Sequence, residues 1–142
     1  MGGAIYATDA KAVVNNCVFL DNTAVTTAAG KNAFGGAISS SGELTVFDSI
    51  FKNNKAIQAD TTVSESGGGA IDASLSDVLV LNSVFELNEA SNVGGAALLD
   101  DESSVAWYNN KELLFGNDAG VDCNGANVVG ERCFSVGENF SV

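Results

Sequence analysis

Apolar residues in this chain alternate with polar ones or gather in short runs, and Gly, Asn, Asp and Ser separate the runs. The clearest unit begins at Gly35-Gly36-Ala37-Ile38 and ends at Phe51-Lys52-Asn53-Asn54. Within it, a period of two puts Gly36, Ile38 and Ser40 on one face of a short strand, and Ala37 and Ser39 on the other. Gly42 then turns the chain, and Leu44-Thr45-Val46 makes a second strand with Leu44 and Val46 inward. Asp48 bends the chain again, Ser49-Ile50-Phe51 makes a third strand with Phe51 inward, and Asn53-Asn54 turns it once more. The stretch from Lys55 to Gly67 reads as a loop, which gives three short strands per unit.

The unit recurs. Gly2-Gly3-Ala4-Ile5 precedes Phe19-Leu20-Asp21-Asn22, and Gly68-Gly69-Ala70-Ile71 precedes Phe85-Glu86-Leu87-Asn88. A degraded copy pairs Gly94-Gly95-Ala96-Ala97 with Phe115-Gly116-Asn117-Asp118. The glycine pairs start at residues 2, 35, 68 and 94, a spacing of 33, 33 and 26. Such self-similarity marks a solenoid, and the frequency of Gly and Asn argues against helical repeats. The expected fold is all-β: a single-stranded parallel β-helix of about four coils, stacked ~4.8 Å apart.

Stacking predicts ladders. Ile5, Ile38 and Ile71 make one, with Ala97 as a weaker fourth member. Val14, Val46 and Val80 make a second, and Phe19, Phe51 and Phe85 a third. Asn22, Asn54 and Asn88 stack at a corner, where their amides can bond the coils above and below. Cys17, Ser49 and Ser83 fall together as small inward residues. On the outside, Val18, Ile50 and Val84 form an apolar column near Phe47 and Leu81, the kind of surface that packs against a neighbour unless loops cover it. Asp72 is expected to face outward in the column of Tyr6, Ser39 and Leu98.

Long connectors at 23–34 and 55–67 read as solvated turns, with a short one at 89–93. In the fourth repeat, residues 105–110 align with residues 12–17, and Lys111 to Leu114 looks like an insertion before Phe115. Asn124-Gly125 between apolar runs signals a hairpin. The expected division is therefore β-helix repeats over 1–118 and a partial last coil with a cap over 119–142. A start at residue 2 with no polar cap suggests a piece of something longer.

Composition narrows the function. The chain has 142 residues with 16 glycines and no proline or histidine, and a net charge of −12. That charge opposes nucleic acid and anionic membranes, both of which attract Lys and Arg. No apolar run reaches the length of a membrane-spanning helix. Of the three cysteines, Cys17 reads as buried filler, whereas a bridge between Cys123 and Cys133 would close a small loop worth about 2–3 kcal/mol. Without histidine or a Cys-x-x-Cys pair, no zinc site is expected.

Gly-Gly-Ala-Ile followed by Phe-x-x-Asn resembles the paired motif of the chlamydial polymorphic outer-membrane protein repeats, within the right-handed parallel β-helix superfamily. The resemblance covers about residues 2–118. It implies a right-handed coil and a secreted or surface-displayed, adhesive protein whose partners are other surface proteins or glycans. The fourth copy departs from the motif, and no leader sequence or membrane barrel is seen in this stretch.

Candidate chemistry is thin. Asp100-Asp101-Glu102 is the densest carboxylate cluster, yet calcium needs six to eight oxygens from several segments. Enzymes of the wider superfamily gather acids with a basic residue on one outer face. Here Lys11, Lys31, Lys52, Lys55, Lys111 and Arg132 show no convergence on a carboxylate pair. The expectation is a non-catalytic structural or adhesive domain with no cofactor and no metal. The alternatives are a carbohydrate-active enzyme and a lectin-like glycan-binding module.

Overall fold

The computed structural model describes residues 2–59, 67–75, 77–91, 94–99, 104–108, 110–113, 121–122 and 127–130. All regular elements among them are strands, and every pairing is parallel. The chain is a parallel β-helix.

The first coil holds β1 (Ile5–Asn15), β2 (Val18–Leu20) and β3 (Thr23–Thr26). The second repeats it as β4 (Ile38–Phe47), β5 (Ile50–Lys52) and β6 (Lys55–Gln58). In the third, the long strand splits into β7 (Ile71–Ala73) and β8 (Asp77–Leu81), followed by β9 (Val84–Glu86) and β10 (Glu89–Ala90). Beyond it come β11 (Ala97–Leu99), β12 (Ser104–Tyr108), β13 (Lys111–Leu113), β14 (Val121–Asp122) and β15 (Asn127–Gly130). β1, β4, β7, β8, β11, β12, β14 and β15 share one bent sheet. β2, β5, β9 and β13 form a second sheet, and β3, β6 and β10 a third.

The inward ladders are in register. Ile5 faces Ile38, Ile38 faces Ile71, and Ala97 takes the fourth place. Val14, Val46 and Val80 align, as do Phe19, Phe51 and Phe85. The phenylalanine rings lie parallel with centroids 4.8 and 4.9 Å apart, the spacing of adjacent strands. Ile38, Leu44, Val46, Phe51, Ile71, Val80 and Phe85 are wholly buried and make the core continuous through the coils.

Four details differ from the sequence reading. The stretch after each Asn corner is a strand and not a loop, since Thr23–Thr26, Lys55–Gln58 and Glu89–Ala90 pair as the third sheet. Its inward residues include Ala24, Ala56 and Ala90, small side chains that carry little strand signal by themselves. Lys111–Leu113 is also not an insertion: it pairs with Val84–Glu86 and puts Glu112, rather than Phe115, opposite Phe85. Phe115 itself lies outside the described residues. Next, β14 and β15 do not form a hairpin; each pairs in parallel with the coil before it, β14 with β11 and β15 with β12. Asn124-Gly125 itself lies outside the described residues. Finally, Gly42 does not end a strand, because β4 runs through it at φ 132°.

Corners are set by left-handed residues. Asn16, Asp48 and Asn82 (φ 51°, 51° and 50°) turn the chain between the first and second sheets. Asp21, Asn53 and Leu87 (φ 57°, 54° and 56°) turn it between the second and third. Asn and Asp tolerate this region, whereas leucine pays about 1–2 kcal/mol for its Cβ. Leu87 is 40% exposed, so little burial offsets the strain. Leu87→Asn is therefore expected to stabilise the protein by about 1 kcal/mol. Urea denaturation checks this, and a destabilised variant would show that the leucine packs more than its exposure suggests.

Candidate interaction faces

Stacking decides what each polar side chain does. At the Asn corner, the backbone N–H and Nδ2 of Asn22 both donate to Asn54 Oδ1, at 3.1 and 2.8 Å. Asn54 repeats this toward Asn88 Oδ1, at 3.0 and 2.9 Å. The second hydrogen of each inner amide reaches back one coil, from Asn54 to the carbonyl of Phe19 and from Asn88 to that of Phe51. Asn54 and Asn88 are fully buried, so these bonds satisfy groups that would otherwise be costly to desolvate.

The small-residue column works the same way. Cys17 N–H donates to Ser49 Oγ and Ser49 N–H to Ser83 Oγ, both at 3.2 Å. Ser83 N–H donates to Asn110 Oδ1 at 2.9 Å. Asn110 thus continues the column that opens with Cys17, the place its alignment with residue 17 assigns. Cys17 is half-buried and its thiol donates to the Asn15 carbonyl.

Three lysines that could have served catalysis are held by glutamates one coil on. Lys11 pairs with Glu43, Lys52 with Glu86 at 2.9 Å and Lys55 with Glu89 at 2.7 Å. Each pair is also a register pair of the sheets, so opposite charges reinforce the stacking order. All three are solvent-accessible, which limits each to about 0–1 kcal/mol. The cluster at residues 100–102, Arg132 and both Cys123 and Cys133 lie outside the described residues. No group of three metal-ligating side chains gathers among the described ones.

Two outer faces behave differently. On the bent sheet, Ser39 and Asp72 are in register and joined by a hydrogen bond of 3.1 Å from Ser39 Oγ to Asp72 Oδ2. Asp72 is buried, contrary to the expectation that it faces solvent, and Leu98 in the same column is buried too. This limb of the sheet is buried on both sides, so alternation alone misassigns it. The second sheet stays open. Val18 is 66% exposed and Ile50 42%, with Leu20 exposed beside them and Val84 half-buried. A cavity of about 630 Å³ lies along the first coil, lined by Gly2, Gly3, Thr23, Thr26, Lys31 and Asn32 among others.

Residues 16–41 and 48–74 match the model of the Chlamydia polymorphic membrane protein repeat. Both segments run from the small-residue column through the Phe and Asn ladders to the next coil's glycine pair. Over these two stretches the chain is similar to that repeat. This repeat family is one of non-enzymatic surface proteins, and it points to a surface or outer-membrane setting. No helix among the described residues is long and apolar enough to cross a membrane. The chain is also 32% identical over 93 residues to metabotropic glutamate receptor-like protein R of Dictyostelium discoideum. That match covers 61% of this chain but spans only 5% of the relative's length. No solved structure matches.

Proposed function

We propose that the chain is a non-catalytic, surface-displayed or secreted structural domain that adheres through its outer sheets to surface proteins or glycans. The supporting observation is the open second sheet, where exposed Val18, Leu20 and Ile50 adjoin the Lys52–Glu86 pair. An exposed, mixed apolar and charged surface suits contact with another surface more than enclosure of a reacting bond. In the same reading, residues 1–118 form the solenoid and 119–142 its closing coil and cap.

The test exposes purified protein to acidic and neutral polysaccharides, with and without calcium, and records binding and chain length together. Retention without shortening is the expected result. Turnover of any polysaccharide would overturn the reading and turn attention to Lys11 and Lys52. Retention lost in Ile50→Ser but kept in Lys31→Ala would place the contact on the second sheet; the reverse would place it in the cavity.

A further inference from the structure

The second sheet is a small grid of outward side chains. In β2, β5 and β9 the middle residue is the buried phenylalanine, so the two residues beside it point outward. Register sorts these into two columns, Val18-Ile50-Val84 and Leu20-Lys52-Glu86. On the far side of β9, β13 adds a fourth strand. The step from Lys52 to Glu86 therefore lies at the middle of the sheet. One column is apolar, and the other changes sign at its centre, where Lys52 Nζ meets Glu86 Oε1 at 2.9 Å. Both charged side chains keep contact with solvent, at 42 and 30% exposure.

This arrangement is self-complementary in one geometry only. The chain carries a net charge of −12, which repels its own copies at long range. On the described part of the second sheet the outward charges cancel, and Val18, Leu20 and Ile50 offer apolar surface to bury. Two such sheets meeting face to face can be related by a two-fold axis along the stack or along the strands. An axis along the stack exchanges the columns. It lays Lys52 on Ile50 and Glu86 on Val84 of the second copy, which desolvates each charge against an apolar side chain. An axis along the strands, between β5 and β9, keeps the columns and reverses the coil order. Lys52 then faces Glu86 of the second copy, Ile50 faces its Val84, and β2 lies over its β13. The four charges alternate in sign, and each gains a second opposite neighbour.

We propose that the open second sheet is a self-recognition face that takes a second copy of this chain in reversed coil order. The inference rests on the adhesive reading of that sheet and names its partner. The contact is isologous, with the same patch on both copies. Four strands of three residues span roughly 19 by 10 Å, at ~4.8 Å between strands and ~3.3 Å per residue. A stable complex buries about 800 Å² on each partner. One contact is therefore weak, and it holds when many copies are displayed together.

The test exchanges the two charges. Lys52→Glu combined with Glu86→Lys keeps the ion pair within each chain and the match between two swapped copies. It sets like charges together when a swapped copy meets an unswapped one. Beads of two colours carry one chain or the other in about 0.15 M salt. Each colour is expected to cluster with itself, with contacts between colours at least tenfold fewer. Beads carrying Ile50→Asp should not cluster, and circular dichroism checks that this exposed substitution leaves the fold intact. Mixed clusters as frequent as single-colour ones would overturn the proposal. So would unswapped beads that stay dispersed, or Ile50→Asp beads that cluster undiminished. Polysaccharide retention is recorded on the same beads. Retention without clustering sinks this inference alone, and absence of both sinks the adhesive reading with it.

Discussion

Phe51→Ala is expected to lower the unfolding free energy by about 3–5 kcal/mol. Phe51 is fully buried between Phe19 and Phe85, with ring planes within 3° on both sides. Removing the ring forfeits its burial and leaves a void that the neighbours cannot close. Coil separation is set by backbone pairing of Phe19, Phe51 and Phe85, so the flanking rings cannot move together without breaking those ladders. Urea denaturation by circular dichroism, with amide exchange in β5, measures the loss. In a stacked array the damage should be largest in the second coil and its two neighbours. A loss below about 0.5 kcal/mol would place the ring outside the core and shift the whole register by one residue.

A second large effect is expected at a residue with no side chain. A Cβ on Gly69 would sit 2.1 Å from the carbonyl oxygen of Gly95 and 2.6 Å from both N and O of Glu89. All three contacts are backbone, so no rotamer change relieves them. Opening a gap would stretch the bonds from Gly69 N–H to the Gly94 carbonyl and from Ala70 and Ile71 N–H to the Ala96 carbonyl, now 2.9–3.1 Å long. Gly69→Ala should therefore cost about 3 kcal/mol or more and uncouple the coils on either side. Gly30→Ala is the control: its φ is +69°, but nothing lies within 4 Å of the added carbon. It should cost only the left-handed backbone penalty of about 1–2 kcal/mol. Denaturation midpoints and exchange rates across β7 and β11 compare the two, and equal losses would refute the close-approach account.

The same contrast explains how far the chain could be read before its fold was seen. The glycine pairs, Ile, Val and Phe ladders and Asn corners recur at constant spacing, and a stacked coil is the arrangement that makes each set coincide. The third sheet was hidden because most of its inward positions are alanines. An alanine looks the same in a solvated turn and in a strand pinned between two others. Glu112 was hidden for a different reason. Phe115 is the better chemical match to Phe85, but backbone pairing of Lys111–Leu113 with Val84–Glu86 outranks side-chain similarity.

Candidate chemistry followed the same division. The scarcity of basic residues was plain in the composition, but their fate was not. Lys11, Lys52 and Lys55 meet Glu43, Glu86 and Glu89 across 32 or 34 residues of chain, pairs that only coil stacking brings together. Asp72 shows the limit of strand alternation. A period of two says which side of the sheet a residue takes, while the burial of that side depends on what packs over it. By itself, then, the sequence determined the repeat, the all-β class and the inward ladders, because these depend on spacing between like residues along one chain. The tertiary structure decided which corners continue as strands, which charges neutralise one another and which outer face stays open. Those outcomes depend on contacts between neighbouring coils and on what covers them, and these form only once the coils stack.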